Sequence, residues 1–412
     1  MLACIRCGLC LTSCPTYVLS LNESEGPRGR VGMARALAEG HLDVSPSLIE
    51  HELNCLVCDA CTAVCPAGVH MDPLQVVLRA ALERDQGPRR SLAERVIRWV
   101  VFGWLFMDMR RFRLLARLLW LYQCLGVRWL ARHSGILKLL RLSAAERLLP
   151  RISGSFLVPR GEMYAPDSAH GSEAAFLAGC IMSTALADID RATLRILQRA
   201  GFNVMNPAGQ GCCGALHAHG GDLPRALQLA RTNIAAFERT GGPIVVNSAG
   251  CGAMLKDYAH HLRLDADWAE RATAFSLRVR DVSEVLADRP PSTMAHTLNA
   301  KVVYQDACHL LHAQRISRQP RDLLRHIPGV ELAEIDEAGL CCGSAGVYNV
   351  TNPNESRQLQ QRKLDNVLAR APALIVTGNP GCLLQLKSGL AERGSRVQVK
   401  HLAEVLDEAS HP

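Results

Sequence analysis

The chain has 412 residues, 48% of them hydrophobic and 21% charged, enough for two or three domains with their own cores and unlike a disordered or collagenous composition. Seventeen cysteines in so long a chain argue against a small secreted disulfide scaffold. The net charge of +7 is carried by one segment: residues 89–151 hold fourteen Lys and Arg against Glu94, Asp108 and Glu146, so the rest of the chain is net acidic.

The first unit predicted is 1–85. Cys4-x2-Cys7-x2-Cys10-x3-Cys14-Pro15 recurs as Cys55-x2-Cys58-x2-Cys61-x3-Cys65-Pro66. This spacing wraps [4Fe–4S] cubes, the fourth cysteine of each run ligating the other cluster. Cys4, Cys7, Cys10 and Cys65 are therefore assigned to one cube, and Cys14, Cys55, Cys58 and Cys61 to the second. A zinc site expects separated pairs instead of three evenly stepped cysteines twice over. Met1 lies so close to Cys4 that no signal peptide is expected, and thiolate ligands suit a reducing cytoplasm. Gly26-Pro27-Arg28-Gly29-Arg30 reads as a break followed by a helix over Val31–Ala38. Arg28 and Arg30 stand either near a cluster or as solvated charges in a turn.

Residues 86–171 form a basic helical connector. Arg98, Asp108, Arg110, Arg111, Arg113 and Arg117 interrupt every apolar run well short of the ~20 residues of a membrane span. The preferred reading is a helical spacer packed on the other domains; the alternative is an amphipathic helix on an anionic membrane surface. Cys124, in an apolar stretch, is expected in the core.

From 172 onward strands and helices alternate. Strands are predicted at Ala174–Ala178, Phe202–Met205 and Pro243–Asn247, with helices at Thr184–Ala200, Leu223–Glu238 and from near Cys251. The order repeats with strands at Lys301–Tyr304, Glu331–Ile335 and Leu374–Thr377, and helices at about 310–326, 354–370 and from Cys382. Cys180, Cys212-Cys213-Gly214 and Cys251 are matched by Cys308, Cys341-Cys342-Gly343 and Cys382 at offsets of 128, 129 and 131. The chain thus divides into two tandem α/β repeats, 172–292 and 293–412, with residues 263–292 joining them. Each repeat is expected to carry a parallel sheet with its four sulfurs on the rim at the carboxyl ends of the strands. The eight sulfurs admit three readings: an additional iron–sulfur cluster, a redox-active thiol pair, or buried filler. At least one additional cluster is expected. His217, His219, His309 and His312 lie near these cysteines and are read as neutral surface histidines without a role. No phosphate-loop or G-x-S-x-G motif follows a strand, so no catalytic residue is assigned and substrate oxidation is expected on another polypeptide.

The two cysteine runs, the Gly-Pro-Arg-Gly-Arg segment, and the stretches GCCGALHAH, SAGCGAMLKDY and LCCGSAGVYNVTNP resemble the iron–sulfur subunit of glycolate oxidase (glycolate dehydrogenase) over nearly the whole chain. The resemblance implies a cytoplasmic, membrane-associated oxidoreductase subunit. It would pass electrons from FAD-bearing partners, which oxidise glycolate to glyoxylate, toward a membrane or quinone acceptor, with no nucleic-acid partner. Heterodisulfide reductase subunits and the iron–sulfur subunit of anaerobic glycerol-3-phosphate dehydrogenase share the Cys-Cys-Gly repeats, so a thiol/disulfide reductase and a subunit of the latter enzyme are the alternatives. In the heterodisulfide reductases a Cys-x-x-Cys closes each repeat; here Ser248 and Asn379 stand at its first position, leaving four sulfurs per repeat.

Overall fold

The computed structural model describes residues 1–87, 90–139, 146, 149–166, 171–291 and 294–411. The start of the basic segment at Arg89 and the boundary between the repeats at 292/293 lie outside the described residues.

Pro15 and Pro27 each open a helix, Pro15–Ser20 and Pro27–Ala38, where a missing N–H costs nothing. The Gly-Pro-Arg-Gly-Arg segment is thus a helix start instead of a turn, and its side chains are held. Arg28 pairs with Glu23 at 2.6 Å and donates to the Arg6 carbonyl at 3.1 Å. Arg30 is 1% exposed and pairs with buried Glu25 at 2.7 Å, which excludes a solvated turn. Helices Pro46–Leu53 and Met71–Gln86 complete this unit through Ala34, Leu48, Leu78 and Leu82.

The connector runs as helix Leu92–Arg98, a π-helical segment Trp99–Leu105, and helices Met109–Cys124 and Val127–His133. Phe106, Met109 and Phe112 pack beside Cys180 and Cys212, so the connector docks on the first repeat. Cys124 is exposed, contrary to the core expectation, because helix Met109–Cys124 buries only Ala116 and turns its remaining apolar side outward. Among the described residues no helix is long and apolar enough to cross a membrane.

The first sheet comprises β1 (Glu162–Tyr164), β2 (Ser172–Phe176), β3 (Phe202–Asn206), β4 (Ile244–Val246) and β5 (Val279–Asp281), in the order β1-β3-β2-β4-β5. Only β1 is antiparallel. The second sheet, β7 (Val330–Ala333), β6 (Ala300–Tyr304), β8 (Leu374–Thr377) and β9 (Gln398–His401), is wholly parallel. Its inner strand β8, Leu-Ile-Val-Thr, is buried at every position, as expected of a parallel strand covered on both faces. The segment 263–292 does more than join the halves: it supplies helix Ala269–Arg278 and edge strand β5 to the first sheet.

One hydrophobic core runs through both repeats, from Phe176 and Val204 to Val303, Leu383 and Leu406. The repeats are also tied by Arg195 and Arg199 on Asp407, at 2.5 and 2.9 Å, and by the His401 Nε2–H donating to the Asn247 carbonyl at 2.8 Å.

Candidate iron–sulfur sites

Both N-terminal cysteine runs fold into the same loop. Arg6 and Gly8 in the first, and Val57 and Asp59 in the second, adopt left-handed backbone with φ between 52° and 82°. A β-branched valine there is strained, and the strain persists only where surroundings impose it. The reversals fold the two sets of sulfurs inward. Cys4, Cys7, Cys10 and Cys65 line one cavity of about 30 Å³, with Cys61 at its inner wall. Cys14, Cys55, Cys58 and Cys61 line a second of about 20 Å³. The fourth cysteine of each run therefore stands in the other run's cavity.

Burial raises the Cys10 and Cys55 thiols and pushes Cys58 and Cys61 well up. Thiolates at these depths require positive charge alongside, which Arg30 and Arg79 supply only in part. The Arg30 guanidinium lies 4.0 Å from the Cys14 sulfur, while Arg79 donates to the Cys55 carbonyl at 2.6 Å. Backbone N–H groups of Val57 and Val69 donate to the Cys55 and Cys65 sulfurs, each at 3.4 Å. Four soft thiolates per cavity, with amides aimed at sulfur, are a donor set that fits an iron–sulfur cluster.

The Cys-Cys-Gly cysteines follow the strand ends as the topology requires: Cys180 after β2, Cys212 and Cys213 after β3, Cys251 after β4, then Cys308 after β6, Cys341 and Cys342 after β7, and Cys382 after β8. The structure departs from a separate rim for each repeat. All eight line one cavity of about 180 Å³ between the two sheets. Equivalent pairs repeat across it, with Cys180 and Cys212 sulfurs 3.7 Å apart and those of Cys308 and Cys341 3.9 Å apart. Gly214 and Gly343 turn the chain after each cysteine pair with φ near +85°, a conformation that admits glycine readily.

Ser248 and Asn379, where a fifth sulfur would stand, occupy the N-cap positions of the helices carrying Cys251 and Cys382 without a side-chain capping bond. The Asn379 Nδ2–H donates to Cys382 at 3.5 Å, and Ser248 works against the rise that Cys213 and burial impose on the Cys251 thiol. Asn379 Oδ1 also accepts from the Gly250 N–H at 3.2 Å, so the two caps meet at the repeat boundary.

The histidines are not surface residues without a place. His217 is fully buried, its Nε2 bonded to the Phe102 carbonyl at 2.9 Å and its ring edge-on to Phe102, which fastens the connector to the first repeat. His312 bonds the Gly339 carbonyl at 2.8 Å. His219 and His309 line the shared cavity and stack at 5.7 Å. Burial works against the His309 cation, yet Cys308, Asp72 and Asp59 raise it to about 9. The hydrogen bond with Cys341, then the His309 charge, hold Cys308 well down. Adjacency of His309 to Cys308 is the one sequence signal for this pair; the approach of Asp59 and Asp72 from the N-terminal unit has none.

The N-terminal unit meets the second repeat here. Leu56, Cys58 and Ala60 share one apolar cluster with Cys308, Cys341 and Tyr348. The cysteine cavities thus form a contiguous series, from Cys4 and Cys7 near the surface to the interior between the sheets.

Comparison with known proteins places the same parts in the same order. Residues 3–69 match a 4Fe-4S dicluster domain, residues 93–149 the linker region of the glycolate oxidase iron-sulfur subunit, and residues 174–256 and 302–387 a cysteine-rich domain. The chain is 40% identical over 420 residues to the "Probable glycolate oxidase iron-sulfur subunit" of Bacillus subtilis (strain 168), covering all of this chain and 94% of that protein. It is 30% identical over 418 residues to the "Glycolate oxidase iron-sulfur subunit" of Escherichia coli (strain K12), covering 99% of this chain and 93% of that one.

Proposed function

The chain belongs to the family of glycolate oxidase iron–sulfur subunits, and on that premise we propose that it is the electron-carrying component of such an oxidoreductase, with the oxidation itself performed by an FAD-bearing partner that converts glycolate to glyoxylate. A quinone or other acceptor at the cytoplasmic membrane would receive the electrons, the complex lying peripherally on that surface. The observation that carries this reading is the contiguous series of three cysteine-lined cavities.

In this proposal Cys4, Cys7, Cys10 and Cys65 hold one [4Fe–4S] cluster, and Cys14, Cys55, Cys58 and Cys61 the other. The Cys-Cys-Gly sulfurs hold at least one more. Such a cluster, when bound, takes up and gives back single electrons at a potential set by burial and by hydrogen bonds to its sulfurs. The chain's own residues set those conditions: Arg30 faces Cys14 from within the fold, and Asn379 donates to Cys382. The units 1–85, 86–171, 172–292 and 293–412 are read as dicluster module, connector and two cysteine-rich repeats.

The test is anaerobic. Brown chain mixed with the flavoprotein subunits should lose visible absorbance on addition of glycolate, and with either component omitted it should not. Bleaching by glycolate without the flavoprotein, or none in its presence, would contradict the proposal.

A further inference from the structure

Helix Met109–Cys124 carries an apolar stripe that nothing among the described residues covers. Leu114, Leu118, Leu121 and Leu125 recur at intervals of four, three and four, the spacing of one helix face. They are 58, 55, 37 and 71% exposed. The opposite face does the packing, with Ala116 buried and Phe112 against Phe106 at 4.9 Å between ring centroids. The stripe continues into helix Val127–His133 as exposed Trp129 and Leu130.

Its borders are basic. On the helical wheel Arg110 and Arg117 flank the leucines on one side and Arg111 on the other. Arg111 lies over the Trp104 ring at 4.9 Å and Arg117 over Trp120 at 5.4 Å. Residues 109–133 contain six arginines and no Asp or Glu. Asp108 pairs with Arg111 at 3.6 Å and Glu146 with Arg128 and Arg132 at 2.7 and 2.9 Å, so the border charge offered to a partner is mainly that of Arg110 and Arg117. A partner that covers this face must accept leucine and tryptophan in its interior and neutralise arginines at the margin. An anionic bilayer has that layering: acyl chains beneath, phosphates at the level that arginine reaches along its aliphatic stem, and indoles at the boundary. Helix Met109–Cys124 is also too short and too charged to span.

We propose that the Leu114-Leu118-Leu121-Leu125 face of the connector, with its arginine borders, is a docking surface for anionic phospholipid, holding the chain flat on the membrane. This rests on the peripheral-membrane part of the reading above and names the residues responsible. It also reassigns the linker from a spacer to a binding element.

The full chain, purified anaerobically, is floated with vesicles of phosphatidylcholine containing phosphatidylglycerol and with vesicles of phosphatidylcholine alone. The wild type should partition to the anionic vesicles, with release by salt. Leu114→Glu/Leu118→Glu should lower that partition by about tenfold or more, and Arg110→Gln should weaken it on anionic vesicles only. Iron content and melting temperature verify that each variant is folded, and Leu125→Glu gives an independent lesion at the helix end. A wild-type chain that fails to float, or variants that float equally well, would overturn the proposal. So would loss of the flavoprotein subunits from the Leu114→Glu/Leu118→Glu chain on co-purification, because the stripe would then be a protein interface. Glycolate-dependent bleaching that survives in a non-floating wild type would leave the electron-transfer reading intact while removing this surface.

Discussion

The Tyr348 hydroxyl donates a 2.6 Å hydrogen bond to Asn54 Oδ1, joining the residue before Cys55 to the short helix Tyr348–Thr351 that follows Cys341 and Cys342. Asn54 in turn donates to Glu25 at 2.7 Å, and Glu25 holds Arg30, so a buried polar chain runs from the second repeat to the dicluster module. Tyr348→Phe removes the donor and keeps the packing. It should cost about 1 kcal/mol and speed proteolytic separation of residues 1–85 from the repeats, which a melting curve and a protease time course would check. Unchanged stability would mean that the apolar contacts alone hold the modules together.

Arg30 is the more severe site on the same chain. Its guanidinium serves Glu25, Thr16 at 3.0 Å and the His51 carbonyl at 2.9 Å. Arg30→Met would take the guanidinium from the buried Glu25 carboxylate, which keeps His51 at 2.6 Å and Asn54 at 2.7 Å. The expected loss is about 3 kcal/mol, with reduced iron retention at the cavity lined by Cys14, seen by melting and by iron analysis. Arg28→Met, at a half-exposed pair, should cost less than about 1 kcal/mol.

Gly214 and Gly343 occupy equivalent turns, but their surroundings differ. A Cβ on Gly343 would come within 2.5 Å of the Ser356 carbonyl oxygen, whereas on Gly214 the nearest atom is the Ala226 carbonyl oxygen at 3.2 Å. Both substitutions to alanine carry the left-handed penalty of about 1–2 kcal/mol, and only Gly343→Ala adds a backbone overlap. Gly343→Ala should therefore destabilise clearly more than Gly214→Ala in parallel denaturant titrations. Equal effects would show that the Ser356 backbone yields.

His401 gives the repeat boundary a pH dependence. Burial lowers it to about 4; its Nδ1 accepts from the Ala403 N–H at 3.1 Å while Nε2–H donates to Asn247. The folded state resists protonation that the unfolded chain accepts near 6.5. The stabilisation is therefore complete above about pH 6.5 and is lost as pH falls toward 4, by about 2 kcal/mol at pH 5. Melting temperatures at pH 7 and pH 5 should differ more for the wild type than for His401→Gln, and identical differences would exclude this histidine as the source.

How much of this is legible in the sequence depends on range. Leu374–Thr377 has the bounds its sequence predicts, because Leu-Ile-Val-Thr is short, largely apolar and rich in β-branched side chains, and the crosswise lining of the two N-terminal cavities by cysteine matches what the spacing leads one to expect. Strands β1, β5 and β9 carry no such signal: Glu162–Tyr164, Val279–Asp281 and Gln398–His401 are short, mixed in polarity, and become strands only by lying beside β3, β4 and β8. Arg30 is an arginine like its neighbours until Glu25 and the His51 carbonyl surround it. The merging of two sulfur rims into one cavity depends on how two sheets face each other, which no local pattern encodes. Cys124 reads as internal because leucines surround it in sequence, yet those leucines themselves face outward.

Iron and acid-labile sulfide per chain, measured on anaerobically purified wild type and on Cys341→Ser, test the central claim most directly. Two cubes alone give about eight irons, and the account predicts more than that in the wild type and about eight after Cys341→Ser. A wild type with eight irons or fewer, unchanged by Cys341→Ser, would contradict a cluster between the repeats, and a chain without iron would contradict the whole account.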